Sequence, residues 1–320
     1  MSYLLSDLPD FLIQARADNT VKTYTSGFRQ WKKWATLHST QYLPGNPLTF
    51  TLFLLSLVQA DANITKIKNI FYSVKFFHNT LHLSDPTQNV LATEMLEAGK
   101  RLCRKTIKKK NPLKTEHIKA IYSKFTANGP MNLQDLRTFT MIVLGFCGFL
   151  RYAELSAILF GDIRFCGTYI KIFIEESKTD IYRDGKWVTI SASGKQTCPV
   201  KNLTTYLERT KITEEGDLFK FIFRGISKSK KSEKLKRKNK PLSYTRTREI
   251  VMKTIKSIGL NEKSYCTHSL RSGGATLAAN AGVPDRLFKR HGRWLSDKAK
   301  DMYVEDNLEE LLSVTKLMGI

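Results

Sequence analysis

The chain has 320 residues, 42% of them hydrophobic and 11% aromatic, enough apolar surface for about two ordinary cores, which excludes disorder throughout. Its 52 Lys and Arg against 29 Asp and Glu give a formal charge of +23 at pH 7, which favours nucleic acid or an anionic membrane surface as partner. The longest near-apolar stretch, Thr138 to Leu150, is fenced by Arg137 and Arg151 and falls short of the ~20 residues that span a bilayer, so a soluble protein with no membrane contact is expected.

The first residues, MSYLLSDLPDFL, place acids where a signal peptide has its apolar core, and no export is expected. Five cysteines, Cys103, Cys147, Cys166, Cys198 and Cys266, include no CxxC pair and outline neither a disulfide framework nor a zinc site. A reducing compartment fits. Residues 1–99 carry 8 basic and 7 acidic residues, leaving 44 and 22 for residues 100–320. The anionic partner is therefore expected to meet mainly the last two-thirds, with a near-neutral first domain gripping it less strongly.

In chain order, Tyr24, Phe28, Trp31 and Trp34 recur at helical spacing after Asn19-Thr20, read as an N-cap. Leu48 to Val58 and Ile64 to Leu81 repeat the pattern, separated by Pro44-Gly45-Asn46-Pro47, and Ser84-Asp85-Pro86 breaks the chain again. This predicts a helical domain of about four helices over residues 1–99. Residues 100–114 hold eight cations (Lys100, Arg101, Arg104, Lys105, Lys108, Lys109, Lys110, Lys114) and no acid, and Asn111-Pro112 disfavours a continuing helix. They are expected to form a basic linker whose Lys105, Lys108, Lys109 and Lys110 track DNA phosphates.

Residues 115–320 make the second domain. Helices are expected over Thr115 to Phe125 and Leu133 to Cys147, followed by strands at Thr168 to Ile174 and Trp187 to Ile190 around an Asp184-Gly185 turn. A helix at Val200 to Arg209 precedes a second basic run, Lys228 to Lys240, which reads as a surface loop and only loosely as a nuclear localisation signal. Helices resume at Tyr244 to Ile258, Thr267 to Ala281, Pro284 to Arg290 and Ser296 to Val304, with an amphipathic tail at Asn307 to Leu317. The fold class is mostly α with a small antiparallel β-sheet.

Taken singly, Arg151, Glu154, Lys178, His268, Arg271 and Tyr303 each have an ordinary explanation as caps, turn residues or solvated faces. Together the segments Gly-Phe-Leu-Arg151-Tyr-Ala-Glu154-Leu, Glu-Ser-Lys178-Thr, Thr-His268-Ser-Leu-Arg271-Ser-Gly-Gly-Ala-Thr, His-Gly-Arg-Trp294-Leu-Ser and Asp-Met-Tyr303-Val stand in a recognisable order and spacing. They closely resemble the catalytic motifs of tyrosine recombinases, the phage-integrase superfamily. His-Gly-Arg-Trp and Arg-Ser-Gly-Gly-Ala look most like the eukaryotic Crypton-type and DIRS-type mobile-element branch. The resemblance implies a helical core-binding domain followed by an α+β catalytic domain, and a nuclear site of action if the host is eukaryotic.

The implied chemistry explains the residue types. Attack on a DNA phosphodiester builds charge on its non-bridging oxygens, and preorganised donors there supply the largest catalytic contribution. Arg151 and Arg271 offer planar guanidinium forks that a lysine lacks. His268, one turn before Arg271, shares its helix face, and Trp294 has one indole N–H to give. In the family a His or Trp stands nine residues before the nucleophile, which selects Trp294 over His291 and leaves His291 a structural or DNA-contacting role.

Tyr303 is then the nucleophile, forming a 3'-phosphotyrosine that a sugar hydroxyl can attack later, with neither cofactor nor metal required. Lys178 is the implied general acid for the leaving 5'-oxygen, and Glu154 an orienting group. Expected partners are double-stranded DNA and further copies of the chain, with four copies joining two DNA sites through the C-terminal helix. Type IB topoisomerase-like relaxation and a domesticated DNA-binding protein without catalysis are the competing readings.

Overall fold

A computed structural model describes the chain except residues 1–10, 13–14, 104, 106–107, 176–183, 229–232 and 320, with only the backbone described at 214, 215 and 310. The chain divides into two compact units, Met1–Lys108 and Lys109–Ile320. Among the described residues no helix is long and apolar enough to cross a membrane.

Among its described residues the first unit holds four principal helices, α1 (Asp18–Leu37), α2 (Pro47–Gln59), α3 (Ile64–Thr80) and α4 (Val90–Leu102). Asparagine side chains begin three of them: Asn46 accepts from the N–H of Leu48 and Thr49, Asn63 from Thr65, and Asn89 from Leu91. The expected Asn19-Thr20 cap is not formed. Helix α1 starts at Asp18 behind Ala17, which supplies no capping side chain, and Asp18 complements the helix dipole in the first turn.

Trp31 is fully buried, donates from Nε1 to the Tyr42 carbonyl at 3.0 Å, and meets Phe50 edge-on at 5.3 Å. Buried His78 accepts from the Gly45 N–H at 2.8 Å, so its other ring nitrogen donates to the Val74 carbonyl and the ring is neutral. A Cβ on Gly27 would lie 2.6 Å from Ser73 Oγ, which is the close approach that lets α1 cross α3.

In the second unit, α5 (Thr115–Thr126) and α6 (Leu133–Cys147) lead to a short α7 (Tyr152–Ala157). A three-stranded antiparallel sheet follows in the order β1 (Ile163–Phe165), β2 (Tyr169–Ile174), β3 (Lys186–Ser191), with Ile170 opposite Ile190 and Ile172 opposite Val188 on the buried face. Next come α8 (Pro199–Thr210), the short α9 (Glu214–Asp217), a hairpin of β4 (Ile226–Lys228) and β5 (Glu233–Leu235), and α10 (Tyr244–Ser257). Helices α11 (His268–Asn280), α12 (Asp285–Gly292), α13 (Asp297–Asp301) and α14 (Leu308–Lys316) complete it.

Three departures from the sequence reading have local causes. The second basic run is not simply a loop, because Ile226 and Leu235 pair in register and pack on the core while Glu233 accepts from the N–H of Leu133 at 2.8 Å. Helix α4 continues through Leu102, and Leu113 is buried in the second unit's core, so both ends of the expected 100–114 linker belong to ordered elements. Helix α13 stops at Asp301 instead of continuing to Val304, which leaves Tyr303 just beyond its end.

The Gly273-Gly274 pair sits where backbones nearly touch. Added Cβ atoms would lie 2.0 Å from the carbonyl oxygens of Leu113 and Phe146, respectively. This contact seats α11, and with it His268 and Arg271, against α6.

Candidate active site

The site is built at the joints between helices. After α6 the chain turns through Phe149, in the left-handed region at φ 48°, and buried Leu150 before Arg151 opens α7 in extended geometry. The Glu154 carboxylate reaches back over this start: Oε2 accepts from the Arg151 N–H at 2.8 Å, and Oε1 from Arg151 Nη1 at 2.7 Å. This is the glutamate half of a capping box, and it fixes the arginine's backbone and side chain together.

Arg271 lies one turn into α11 and is fully buried. It donates from Nη1 to the Phe149 carbonyl and from Nη2 to the Gly292 carbonyl, the latter at 2.6 Å, with Nη1 3.9 Å from Glu154 Oε2. The rings of Trp294 and Tyr303 lie over its guanidinium at 4.8 and 4.9 Å, and their own centroids are 5.7 Å apart. Among the described residues the Trp294 Nε1–H is buried without an acceptor, an unusual state for an indole.

Three guanidiniums surround one carboxylate. Arg293, in the left-handed region at φ 57° where a non-glycine residue costs about 1–2 kcal/mol, donates to Glu154 Oε2 at 2.8 Å. Burial favours the neutral form of Glu154, but Arg293, the Arg151 N–H and the charges of Arg151 and Arg271 outweigh it and hold the carboxyl below its ordinary range. Burial, reinforced by Arg151, pushes the Arg271 guanidinium down, and Glu154 compensates only in part. An arginine remains charged at working pH, so an incoming anion would offset the cost of burying it.

Residues 111–310 match the profile of the phage integrase family. The chain belongs to the phage integrase family. It is a tyrosine site-specific recombinase. Over 298 residues it is 27% identical to a protein named integrase/recombinase xerD homolog from Selenomonas ruminantium, covering 92% of this chain and 83% of that one. Its fold is similar to that of XerH site-specific recombinase in a post-cleavage complex with palindromic difH substrate, at a TM-score of 0.67 and 12% identity over 98% of this chain and 85% of the other. A lambda integrase tetramer bound to a Holliday junction is similar at a TM-score of 0.59 and 16% identity, covering 94% and 77%.

In this integrase, the structure brings together Arg151, Glu154, Arg271, Trp294 and Tyr303. His268 is exposed at the first position of α11 and lines a cleft of about 150 Å³ with Tyr303, Lys109 and Lys110. His291 is turned the other way: its Nε2 bonds the Cys147 carbonyl at 2.7 Å and its ring meets Phe149 edge-on. Burial lowers its basicity, with the neighbouring Arg293 and Arg271 adding to that against the Cys147 bond. Lys178 lies outside the described residues. Lys105 belongs to the first unit, where it pairs with Asp61 at 2.9 Å, and Lys108 is exposed.

Two features escaped the sequence reading. Arg293, written inside the His-Gly-Arg-Trp motif, reads as one more cation of a basic chain until its left-handed backbone and four acceptors are seen. The near-neutral first domain also sorts its charge. All eight basic residues of residues 1–99 lie on α1, just before it at Arg16, or on α3. Apart from Asp18, the described acids lie on α4 or in loops. Counting by helix shows it: α1 and α3 carry seven cations against Asp18, whereas α4 balances Glu94 and Glu97 with Lys100 and Arg101.

Proposed function

We propose that this integrase cuts duplex DNA by attack of the Tyr303 hydroxyl on a phosphodiester, forming a 3'-phosphotyrosine, and rejoins it to a new partner. The observation that carries the reading is the buried cluster of Arg151, Arg271 and Arg293 around the single Glu154, capped by Trp294 and Tyr303. Its charge is in excess by two cations, and the Trp294 Nε1–H lacks an acceptor among the described residues. A phosphate supplies both missing partners, and the developing charge of the transition state would be met by donors already in place. His268 borders the cleft in front of Tyr303, and Lys178 is assigned as general acid for the 5'-oxygen.

Duplex DNA is also held outside the site. Lys109 and Lys110 border the same cleft, so a backbone entering it passes cations first. On the first unit, Lys22 and Lys66 flank a polar cleft between α1 and α3 that also holds Gln30, Asn63 and Asn69, side chains able to meet phosphates and base edges. The α1–α3 face is thus the DNA face of the first unit, whose residues 1–99 carry 8 basic against 7 acidic residues.

Assembly is proposed to run through α14. Leu308, Leu311, Leu312 and Val314 are 42–69% exposed, an apolar stripe that the described residues leave uncovered. The same unit has an apolar groove of about 720 Å³ walled by Leu277, Ala278, Leu287 and Phe288, with Lys195 and Arg290 among its lining residues. The tail carries Glu305, Asp306 and Glu309, so the helix of a neighbouring copy matches the groove in both apolarity and charge. Four copies on two DNA sites follow from repeating this contact around a ring. The His-Gly-Arg-Trp and Arg-Ser-Gly-Gly-Ala segments support a recombinase of the eukaryotic mobile-element branch, which would act in the nucleus.

The test is a duplex from the ends of the DNA segment that encodes the protein, nicked near the cleavage position so that cleavage cannot reverse. Wild-type protein is expected to become covalently attached to a 3'-phosphate, and Tyr303→Phe to bind equally but attach to nothing. An adduct in Tyr303→Phe would overturn the assignment of the nucleophile.

A further inference from the structure

We infer that Arg293 is a positioning residue for the strand-cleavage step, holding Glu154 and the Gly148-Phe149 turn so that Arg151 and Arg271 present their guanidiniums to one phosphate. Its side chain is 1% exposed and spends both terminal nitrogens on the joints of the site. Nη1 donates to the carbonyls of Gly148 at 3.3 Å and His291 at 2.9 Å, and Nη2 to the Phe149 carbonyl at 3.0 Å and Glu154 Oε2 at 2.8 Å.

These acceptors belong to the segments that carry the chemistry. Gly148 and Phe149 lead directly into Arg151. The Phe149 carbonyl also accepts from Arg271 Nη1, so the two guanidiniums share an acceptor and shift together. Arg293 itself precedes Trp294, and its own left-handed φ of 57° turns the chain from α12 toward Trp294 and Tyr303. One planar fork therefore ties the Arg151 segment, the Arg271 guanidinium and the segment bearing the nucleophile.

The carboxylate shows what this contact does. Glu154 divides its oxygens, Oε1 to the Arg151 side chain and Oε2 to the Arg151 N–H and Arg293. Without Arg293, Oε2 keeps the Arg151 N–H and has the Arg271 guanidinium 3.9 Å away. A shift of either guanidinium toward the carboxylate takes it away from the phosphate, and a misplacement of about 1 Å in a reacting group costs roughly 10²-fold in rate. Arg293 touches no reacting atom in this account. It keeps the carboxylate ionised and occupied so that its neighbours stay where cleavage needs them.

This inference rests on the recombinase reading, and the experiment separates the two. Single-turnover attachment to the nicked duplex is measured at saturating DNA between pH 6 and 9 for wild type, Arg293→Gly and Arg293→Lys, with DNA binding measured alongside. The glycine variant suits the left-handed backbone while removing the fork. It is expected to bind DNA within about threefold of wild type and to cleave about 10²-fold more slowly at pH 6.

Glu154 is faced by Arg151 at the start of α7, Arg271 on α11 and Arg293 after α12, with His291 of α12 also close to this group of cations. Losing Arg293 removes the charge that most opposes the effect of burial on the carboxyl. Part of the lost rate should therefore return as pH rises and Glu154 ionises. Arg293→Lys, which keeps the charge on a single nitrogen, should cleave faster than the glycine variant and show no such recovery. Arg293→Gln carries the same expectation as the glycine variant should that one not bind DNA. A neutral variant that cleaves at the wild-type rate, or that loses the same factor at every pH with lysine no better, would overturn the inference alone. Wild-type protein that never attaches to the duplex would overturn the recombinase reading and the inference with it.

Discussion

Among the described residues the first unit buries Trp31, Phe50, Phe53 and Phe71 together with neutral polar groups such as Ser73 and His78, whereas the second buries Arg137, Glu154, Arg224, Arg271 and Arg293. Burying an ion costs several kcal/mol after relaxation, so a core built for stability alone has no use for such a cluster. The first unit behaves accordingly: among the described residues its cations lie on the surface, mainly on α1, α3 and the end of α4, and its interior is aromatic. The second retains its buried cations against that cost. Arg137 serves packing, donating from Nη1 to the Arg224 carbonyl at 3.0 Å, while Arg271 and Arg293 converge on the segments that carry Arg151, Trp294 and Tyr303. Substitutions in the first unit should thus register as stability or DNA affinity, and those in the buried cluster of the second as chemistry.

The largest expected effect breaks the first half of that comparison. Trp31→Ala removes a fully buried indole and its bond to Tyr42, and should destabilise the first unit by about 3–5 kcal/mol in urea unfolding. A loss below about 1 kcal/mol, the level of a surface change, would show that the aromatic core is not what holds the unit.

Arg271→Lys should leave DNA affinity nearly unchanged and slow cleavage by about 10²–10³-fold, as expected for the loss of an oxyanion donor. A lysine cannot serve the Phe149 and Gly292 carbonyls and a phosphate at once. Single-turnover cleavage and a binding titration check this together, and equal losses in both would reduce Arg271 to an anchoring contact.

Removing residues 307–320 should leave a folded protein that occupies one DNA site as a monomer and no longer forms tetramers, read by light scattering with and without DNA. Tetramers from the truncated protein would remove α14 from the assembly. Acid sharpens the contrast between the units more gently. The depressed Glu154 carboxyl contributes stability above its unfolded value, and that contribution is lost as pH falls through its folded value, below the ordinary carboxylate range of about 4. Hydrogen exchange along α6 and α7 should accordingly quicken on acidification before it does along α1 and α3.

The smallest effect concerns the sorted charge of the first unit. Lys22→Ala and Lys66→Ala should each weaken DNA binding similarly for all sequences and reduce its salt slope by about one, while leaving the cleavage rate of bound DNA unchanged. Gln30→Ala, in contrast, should change which sequences are preferred.

The helices were legible because their apolar positions and breakers obey simple spacing. Trp31, part of the expected apolar face, is buried, and the helices expected from Leu48 and Ile64 begin at Pro47 and Ile64. The order of Arg151, Arg271, Trp294 and Tyr303 was readable for a different reason, since chemistry fixes residue types and their separation along the chain. Sequence spacing does not state which way a side chain turns. His291 and Trp294 are three positions apart, yet one ring ties to the end of α6 and the other lies over Arg271. The hairpin at Ile226 and Leu235 was hidden by the lysines around it, because two facing apolar residues outweigh a polar composition that suggested a loop. The structural importance of Arg293 was unreadable for want of its partners, all of which are carbonyls or Glu154.

The buried guanidinium cluster and its two aromatic rings are proposed to form one phosphate site. Its most direct test is an experimental structure of Tyr303→Phe bound to an uncut duplex from the ends of the encoding DNA segment. One backbone phosphate is expected within hydrogen-bonding distance of the Arg151 and Arg271 guanidiniums and of Trp294 Nε1, with the substituted ring facing its phosphorus and Arg293 still on Glu154. A phosphate seated only on the surface lysines, with the Trp294 N–H still unpaired, would contradict it.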